Sequence, residues 1–260
     1  MANYDILGNI AIVKFQDDAT LDAKKKFALK FLEENKHVKT VLEKTEKVHG
    51  RLRTIKTNFL AGVETLEADY KESGCRFKLN VETCYFSPRL ANERLEIAKK
   101  IAKLKKPRVL VMFSGVAPFP IVIAKNAKTK GIVSIELGVE CEKYATDNIW
   151  LNKVSDIVEH VQGDVNKILG KKIKDKYEVI VMPRPNLKDN FLKAALLVAK
   201  KGTLIFYYGF CAEAKKDEMV EELVKTAKKL KRKLKVLKVL EAGDIAPYEH
   251  RYRVEMKVLN

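Results

Sequence analysis

Glu93 stands where a carboxylate is rarely placed. Between residues 88 and 104 the apolar residues Leu90, Ile97, Ile101 and Leu104 recur at helical spacing, and Glu93 falls three after Leu90 and four before Ile97, on the same face. Burial disfavours the charged form of a carboxylate and raises its proton affinity, which turns such a group into a general base near neutral pH. A structural ion pair is the competing role, and Arg89 and Arg94 lie beside it in sequence.

A second acid closes the stretch from Arg108 to Glu136, which reads as strand, tight turn, helix and second strand. Val109 to Phe113 is a continuous apolar run, as expected of a parallel strand covered on both faces. Ser114 and Gly115 turn the chain sharply, Ile121 to Ala124 belong to a helix, and Ile132 to Ile135 form the next strand. Glu136 ends that strand, where a carboxylate accepts hydrogen bonds from both hydroxyls of a ribose. No GxGxxG pattern accompanies it, which disfavours a dinucleotide pyrophosphate such as NAD. S-adenosyl-L-methionine has the ribose and adenine without phosphate and tolerates this looser turn; a ligand-free crossover is the alternative.

Asp164 follows a third strand ending at Val161, placed to accept from an adenine amino group while Val165 packs on the ring; capping the next helix is compatible with that role. After a fourth strand, Glu178 to Met182, the tripeptide Pro183-Arg184-Pro185 holds the chain extended at the strand ends, where ligands of open α/β sheets bind.

The elements that must position these residues fall into two segments. Residues 1–86 read as a small α+β domain: a strand pair around Gly8, a helix capped by Thr20, and β-type runs at 38–42, 52–55, 59–63 and 77–81. Lys47, His49, Arg51, Arg53 and Lys56 form its densest basic cluster, suited to phosphate or base contacts or to a solvated strand edge. From Ser87 to residue 260 helices alternate with apolar strands at 109–113, 132–135, 156–161, 178–182 and 203–208. A helix is expected to end near Lys201 with Gly202 just beyond it, and strands at 234–240 and 251–258 flank a loop from Ala242 to His250. This is an α/β pattern with a mainly parallel sheet and an antiparallel C-terminal strand.

With 260 residues, 47% of them hydrophobic, the chain can bury a sizeable core. Its 51 Lys and Arg against 34 Asp and Glu give a net charge of +17, a field that attracts polyanions, RNA or DNA first among them. Cys75, Cys84, Cys141 and Cys211 show no metal-ligand spacing and read as reduced thiols. No metal is expected, and neither a signal peptide nor a membrane-length apolar run is present, so a cytoplasmic location is expected; a monomer is the expected state.

Taken together, YDILGNIAIV at 4–13, HGRLRTIKTNFLAG at 49–62, YFSPRLANER at 85–94, MFSGVAPFPIVIAK at 112–125, GDV, MPRP, YYGF and APYEHRYRV resemble a known family over essentially the whole chain. It is that of the archaeal and eukaryotic tRNA (guanine-37-N1)-methyltransferases, within it the archaeal branch serving wyosine biosynthesis. YFSPRL together with FxGVxPF is highly specific. The resemblance implies a class I, Rossmann-like methyltransferase domain (87–260) using S-adenosyl-L-methionine, preceded by the small domain that helps hold a tRNA anticodon arm.

Residue by residue, the resemblance implies Glu93 as general base, Arg53 as stabiliser of the base's oxygen and Pro183 at the acceptor base. Arg94, Phe113, Gly115, Glu136, Leu137, Asp164 and Val165 would form the cofactor pocket, and Tyr85, Arg89, Arg51, Arg184, Tyr248 and Arg251 would contact RNA. Two departures stand out. An extra N-terminal domain common in archaeal relatives is not expected here, since the chain starts where the second domain of those relatives does. Guanine-specific members resemble Asn-Leu-Pro where this chain has Pro183-Arg184-Pro185, and loss of that side-chain amide should relax selection for guanine. The proline form is similar to the branch that methylates carbon 7 of 4-demethylwyosine, sometimes together with N1 of guanosine. Methylation of N1 of guanosine only is the first alternative; aminocarboxypropyl transfer from the same cofactor and non-catalytic RNA binding are weaker rivals, and a nicotinamide dehydrogenase the weakest one.

Overall fold

The computed structural model describes residues 3–46, 50, 52–184, 186–246 and 248–260. Lys47, His49, Arg51 and Pro185, named above, lie outside the described residues. The chain opens with β1 (Asn3–Leu7), β2 (Ile10–Lys14), α1 (Leu21–Glu34), β3 (Thr40–Lys44) and β4 (Thr57–Gly62), forming a sheet in the order β1-β2-β3-β4. Helix α1 bridges the one parallel pair, β2 and β3, and its N-cap Thr20 accepts from the Ala23 amide at 3.3 Å.

A hairpin follows, β5 (Glu67–Glu72) and β6 (Cys75–Asn80). It precedes the domain boundary expected at residue 86, yet Cys75 and Phe77 share a core with the helices that come after. Asn148 and the C-cap Asn152 of a later helix, residues Val139–Leu151, grip its backbone: their Oδ1 atoms accept from the Lys78 and Arg76 amides at 2.8 and 2.9 Å, and their Nδ2 atoms donate to the same residues' carbonyls.

Beyond a 3₁₀ turn at Pro88–Leu90 come α2 (Ala91–Ala102), β7 (Arg108–Met112), α3 (Pro118–Asn126), β8 (Gly131–Glu136), α4 (Val139–Leu151), β9 (Val158–Gln162), α5 (Val165–Ile168) and β10 (Tyr177–Met182). The chain finishes with α6 (Leu192–Val198), β11 (Ala199–Ala212), α7 (Lys216–Lys229), β12 (Leu234–Ala246) and β13 (Glu249–Val258). These strands build a seven-stranded sheet ordered β12-β13-β11-β10-β7-β8-β9, in which β9, β8, β7, β10 and β11 run parallel and β13 runs antiparallel between β11 and β12. One face carries a core with α6 and α7, the other a core with α2, α3 and α4. Central strands read as unbroken apolar runs because both faces are covered; Val109 to Met112 are fully buried. Among the described residues no helix is long and apolar enough to cross a membrane.

Three expectations are corrected and one strand is added. Residues 52–55 form no strand, because Arg53 adopts φ 58° and turns the chain. Strand β5, EADYKE, went unread because only alternate residues face inward and the rest are charged. Helix α6 stops at Val198, and Gly202 at φ 90° lies inside β11, where Thr203 accepts from the Lys200 amide and donates to the Tyr177 carbonyl. The expected loop 242–250 is mostly strand: β12 runs on to residue 246 with register shifts, and β13 begins at Glu249.

Those long strands matter for the site. Met182 at the end of β10 pairs with Tyr207, and β11 continues five residues further, paired with β13 through Ala212↔Glu249. The β11–β13 ribbon therefore overhangs the carboxyl edge of the parallel strands, the edge where open α/β sheets bind ligands.

Candidate active site

The turn after β7 holds three left-handed residues within five positions. Phe113, Gly115 and Ala117 take φ values of 57°, 55° and 66°, and such left-handed residues mark backbone held against its preference by its surroundings. Glu136 supplies part of that hold, its Oε2 accepting from the Gly115 amide at 2.8 Å and its Oε1 from the Gly138 amide at 2.9 Å. Each oxygen keeps a further lone pair for a ligand hydroxyl.

Gly115, Glu136, Leu137, Asp164, Val165 and Phe113 all line one cleft at the carboxyl ends of β7, β8 and β9. Phe113 is wedged edge-on against Phe191, with ring centroids 4.8 Å apart. Asp164 caps α5 through the Asn166 amide at 2.9 Å, so capping and cleft lining coincide. Two acids flanked by apolar Leu137 and Val165 offer acceptors for ribose hydroxyls and an adenine amino group with no cradle for phosphate, and they fit S-adenosyl-L-methionine.

The same cleft extends under the ribbon, where Arg53, Tyr85, Pro183, Tyr208, Phe210 and Arg251 line it. Arg53 lies over the ring of Tyr85 at 4.8 Å, and its buried Nε has no hydrogen-bond partner. Arg251, opposite Phe210 in the ribbon, lies 5.5 Å from that ring and is 7% exposed. Burial lowers the pKa of its guanidinium, and Tyr85, Arg53, Tyr208 and Glu93 are all within electrostatic range. Among the described residues no carboxylate pairs with Arg53 or Arg251.

Three sequence candidates prove to be engaged elsewhere. Arg94 lines the cleft, but its guanidinium makes a bidentate ion pair with Glu72 and lies over Phe86 at 4.9 Å. Arg184, expected as an RNA contact, is 8% exposed and turned inward: its Nε donates to the Tyr207 hydroxyl at 2.8 Å and its Nη1 to the Leu187 carbonyl at 2.9 Å, bracing the loop that carries Pro183. Arg89 pairs with Asp5 at 2.7 Å on the surface and is absent from the cleft wall. Tyr248, at the ribbon turn, is 87% exposed and also outside the cleft.

Glu93 sits one layer behind the wall. Its Oε2 accepts from the Tyr208 hydroxyl at 2.9 Å and from Arg253 Nη1 at 2.5 Å. Arg253 also donates to Glu96 at 2.6 Å and Glu255 at 3.0 Å; burial lowers its pKa, but these carboxylates outweigh that and raise it. Tyr208 and Arg253 escaped the sequence reading. One signal was available: Arg251, Arg253 and Glu255 alternate along a strand and so share a face.

All four cysteines are free thiols, three buried and Cys211 half-buried, and the described residues hold no cluster of metal ligands.

Comparison with known proteins agrees with this geometry. Residues 68–237 match the TRM5/TYW2 methyltransferase domain and residues 1–65 the TYW2 N-terminal domain. The chain is 32% identical over 306 residues to the tRNA (guanine(37)-N(1))/4-demethylwyosine(37)-methyltransferase Taw22 of Nanoarchaeum equitans, covering 99% of this chain and 100% of the relative. It is 30% identical over 210 residues to the tRNA 4-demethylwyosine(37)-methyltransferase Taw21 of Saccharolobus solfataricus, covering 78% and 76%. The solved complex of aTrm5 with tRNALeu superposes with a TM-score of 0.84 at 27% identity, over 99% of this chain and 72% of that one. The protein is thus an S-adenosyl-L-methionine-dependent methyltransferase, and it belongs to the TRM5/TYW2 family.

Proposed function

We propose that this protein methylates the base at position 37 of tRNA, with carbon 7 of 4-demethylwyosine as its principal acceptor and N1 of guanosine as a secondary one. The observation that carries this reading is the acceptor end of the cleft. Pro183 lines it with no side-chain donor, and the neighbouring Arg184 spends its guanidinium on the loop, so this corner meets the base with apolar surface. Such a surface suits a tricyclic base better than one defined by its amide-reading edge. Relatives named for 4-demethylwyosine methylation support it.

When bound, S-adenosyl-L-methionine supplies an electrophilic methyl group. Glu136 orients it by accepting from its ribose, and Asp164 and Val165 receive the adenine. The base extruded from the anticodon loop stacks on Tyr85, which is 37% exposed at the cleft. Arg53, held over that ring, stabilises negative charge on the exocyclic oxygen. Whichever ring atom is methylated, one proton leaves the base for each methyl gained, and Glu93 is the carboxylate that takes it. The positive field of the chain draws in the RNA.

The test is mass spectrometry of nucleosides from two tRNAs, carrying guanosine or 4-demethylwyosine at position 37, after incubation with isotopically labelled cofactor. Faster methyl gain on the tricycle is expected. Methylation of guanosine alone would overturn the acceptor assignment, and a mass gain of aminocarboxypropyl would replace the reaction.

A further inference from the structure

The carboxylate read as the base does not touch the cleft; Tyr208 does. Tyr208 is 1% exposed, and its hydroxyl donates to Glu93 Oε2 at 2.9 Å. Burial, reinforced by the negative charge of Glu93, pushes its pKa well above the ordinary tyrosine value, so it remains a phenol that gives up a proton only on receiving another.

Behind it stands a charge cluster able to absorb one proton. Arg253, 1% exposed, meets Glu93, Glu96 and Glu255, and Lys100 lies 3.2 Å from Glu255. Three carboxylates face two cations, which leaves one negative charge in excess. A proton on Glu93 neutralises it, while Glu96 and Glu255 keep Arg253 paired and spare the cost of a buried lone charge.

We propose that Tyr208 is a catalytic residue that touches the acceptor base and relays its proton to Glu93. This inference rests on the reading of Glu93 as the base. As the ring bond to hydrogen breaks, the phenolic oxygen takes that proton and the Tyr208 O–H proton moves to Glu93 Oε2. Tyr208 ends as the neutral phenol it began as, and Glu93 ends as the neutral acid. The base, having gained a methyl and lost a proton, keeps its charge. Arg251 on the adjoining strand, within electrostatic range of Tyr208, Tyr85 and Arg53, places the relay beside the residues that stack and polarise the base.

Tyr208→Phe removes one oxygen and preserves the ring against Phe119, 5.9 Å away. Single-turnover methylation of tRNA carrying 4-demethylwyosine should slow by about 100-fold or more, the scale of one acid–base step. Cofactor and tRNA dissociation constants should stay at wild-type values, and the lost hydrogen bond to Glu93 should lower the thermal midpoint by several degrees without unfolding the protein at the assay temperature. Glu93→Gln should show a comparable loss, and the double variant should be no slower than the slower single variant, as for residues acting in one proton path. Wild-type turnover in Tyr208→Phe with a slow Glu93→Gln would overturn the relay and leave Glu93 as a direct base. Independent, multiplying losses in the double variant would likewise overturn it. Wild-type turnover in both would remove the base reading itself.

Discussion

Glu72 in β5 and Arg94 in α2 form a bidentate ion pair whose side chains are 4% and 2% exposed, and it ties the N-terminal hairpin to the helix that carries Glu93. Arg94 also donates to the Ser87 carbonyl at 3.1 Å. Removing one partner of a buried pair strands the other charge, at a cost of about 3–5 kcal/mol. Glu72→Gln should therefore lower the denaturant midpoint steeply, whereas replacing both residues with apolar ones of similar volume should recover much of the loss. Unfolding curves of the three proteins check this.

Arg251 is buried, faces the cleft and has no carboxylate partner among the described residues, so an RNA phosphate is the anion that would offset its burial. Arg251→Met should weaken tRNA binding and reduce the slope of log affinity against log salt by about 1. Cofactor affinity should be unchanged. Filter binding across a salt series and cofactor calorimetry measure the two quantities; a loss confined to cofactor binding would place the guanidinium on the methionine carboxylate instead.

Glu136 fastens the Gly115 turn, and in the proposed function it also receives the ribose. Hydrogen bonds to a charged group contribute about 1.5–3 kcal/mol each. Glu136→Gln keeps the shape but cannot accept with both atoms, so the dissociation constant of S-adenosyl-L-methionine should rise by roughly 10-fold or more. Glu136→Ala should do worse and also loosen the turn. Calorimetric titration of the three proteins is the measurement.

His160 on β9 shares a 3.0 Å hydrogen bond with Ser134, while its Nε2 is buried without a partner. Burial lowers its pKa to about 4 from 6.5. Folding therefore prefers the neutral ring: the unfolded chain binds the proton first as pH falls, and stability declines between about pH 6.5 and 4, by up to about 1.4 kcal/mol per pH unit from this residue. Above pH 6.5 the contribution is fully present. His160→Gln should flatten the stability profile across that window, as read from urea midpoints at a series of pH values.

The parallel half of the fold was legible in the sequence because the physics is local and redundant. Covered strands need unbroken apolar runs such as Val109 to Met112, and a strand, turn, helix and acid at the spacing of Gly115 and Glu136 leave few arrangements. That one wall of the cleft joins Gly115, Glu136 and Asp164 follows directly, since consecutive parallel strands bring them to one edge. The family motifs span the chain and pointed to the same residues.

Tertiary structure alone decided the partners. Glu93 was placed on an apolar face by periodicity, but its neighbours there are Tyr208 and Arg253, 115 and 160 positions away, so its distance from the cleft could not be read locally. Arg94 and Arg184 look alike in sequence as cationic site residues, yet one is neutralised by Glu72 and the other braces a loop. The turn signals near Gly243 disguised a hairpin whose overhang carries Arg251 over the cleft. Backbone pattern depends on nearby residues and so is written in the chain; which charges meet, and which are left for the ligand, depends on contacts between elements more than a hundred residues apart, such as α2 and the β11–β13 ribbon.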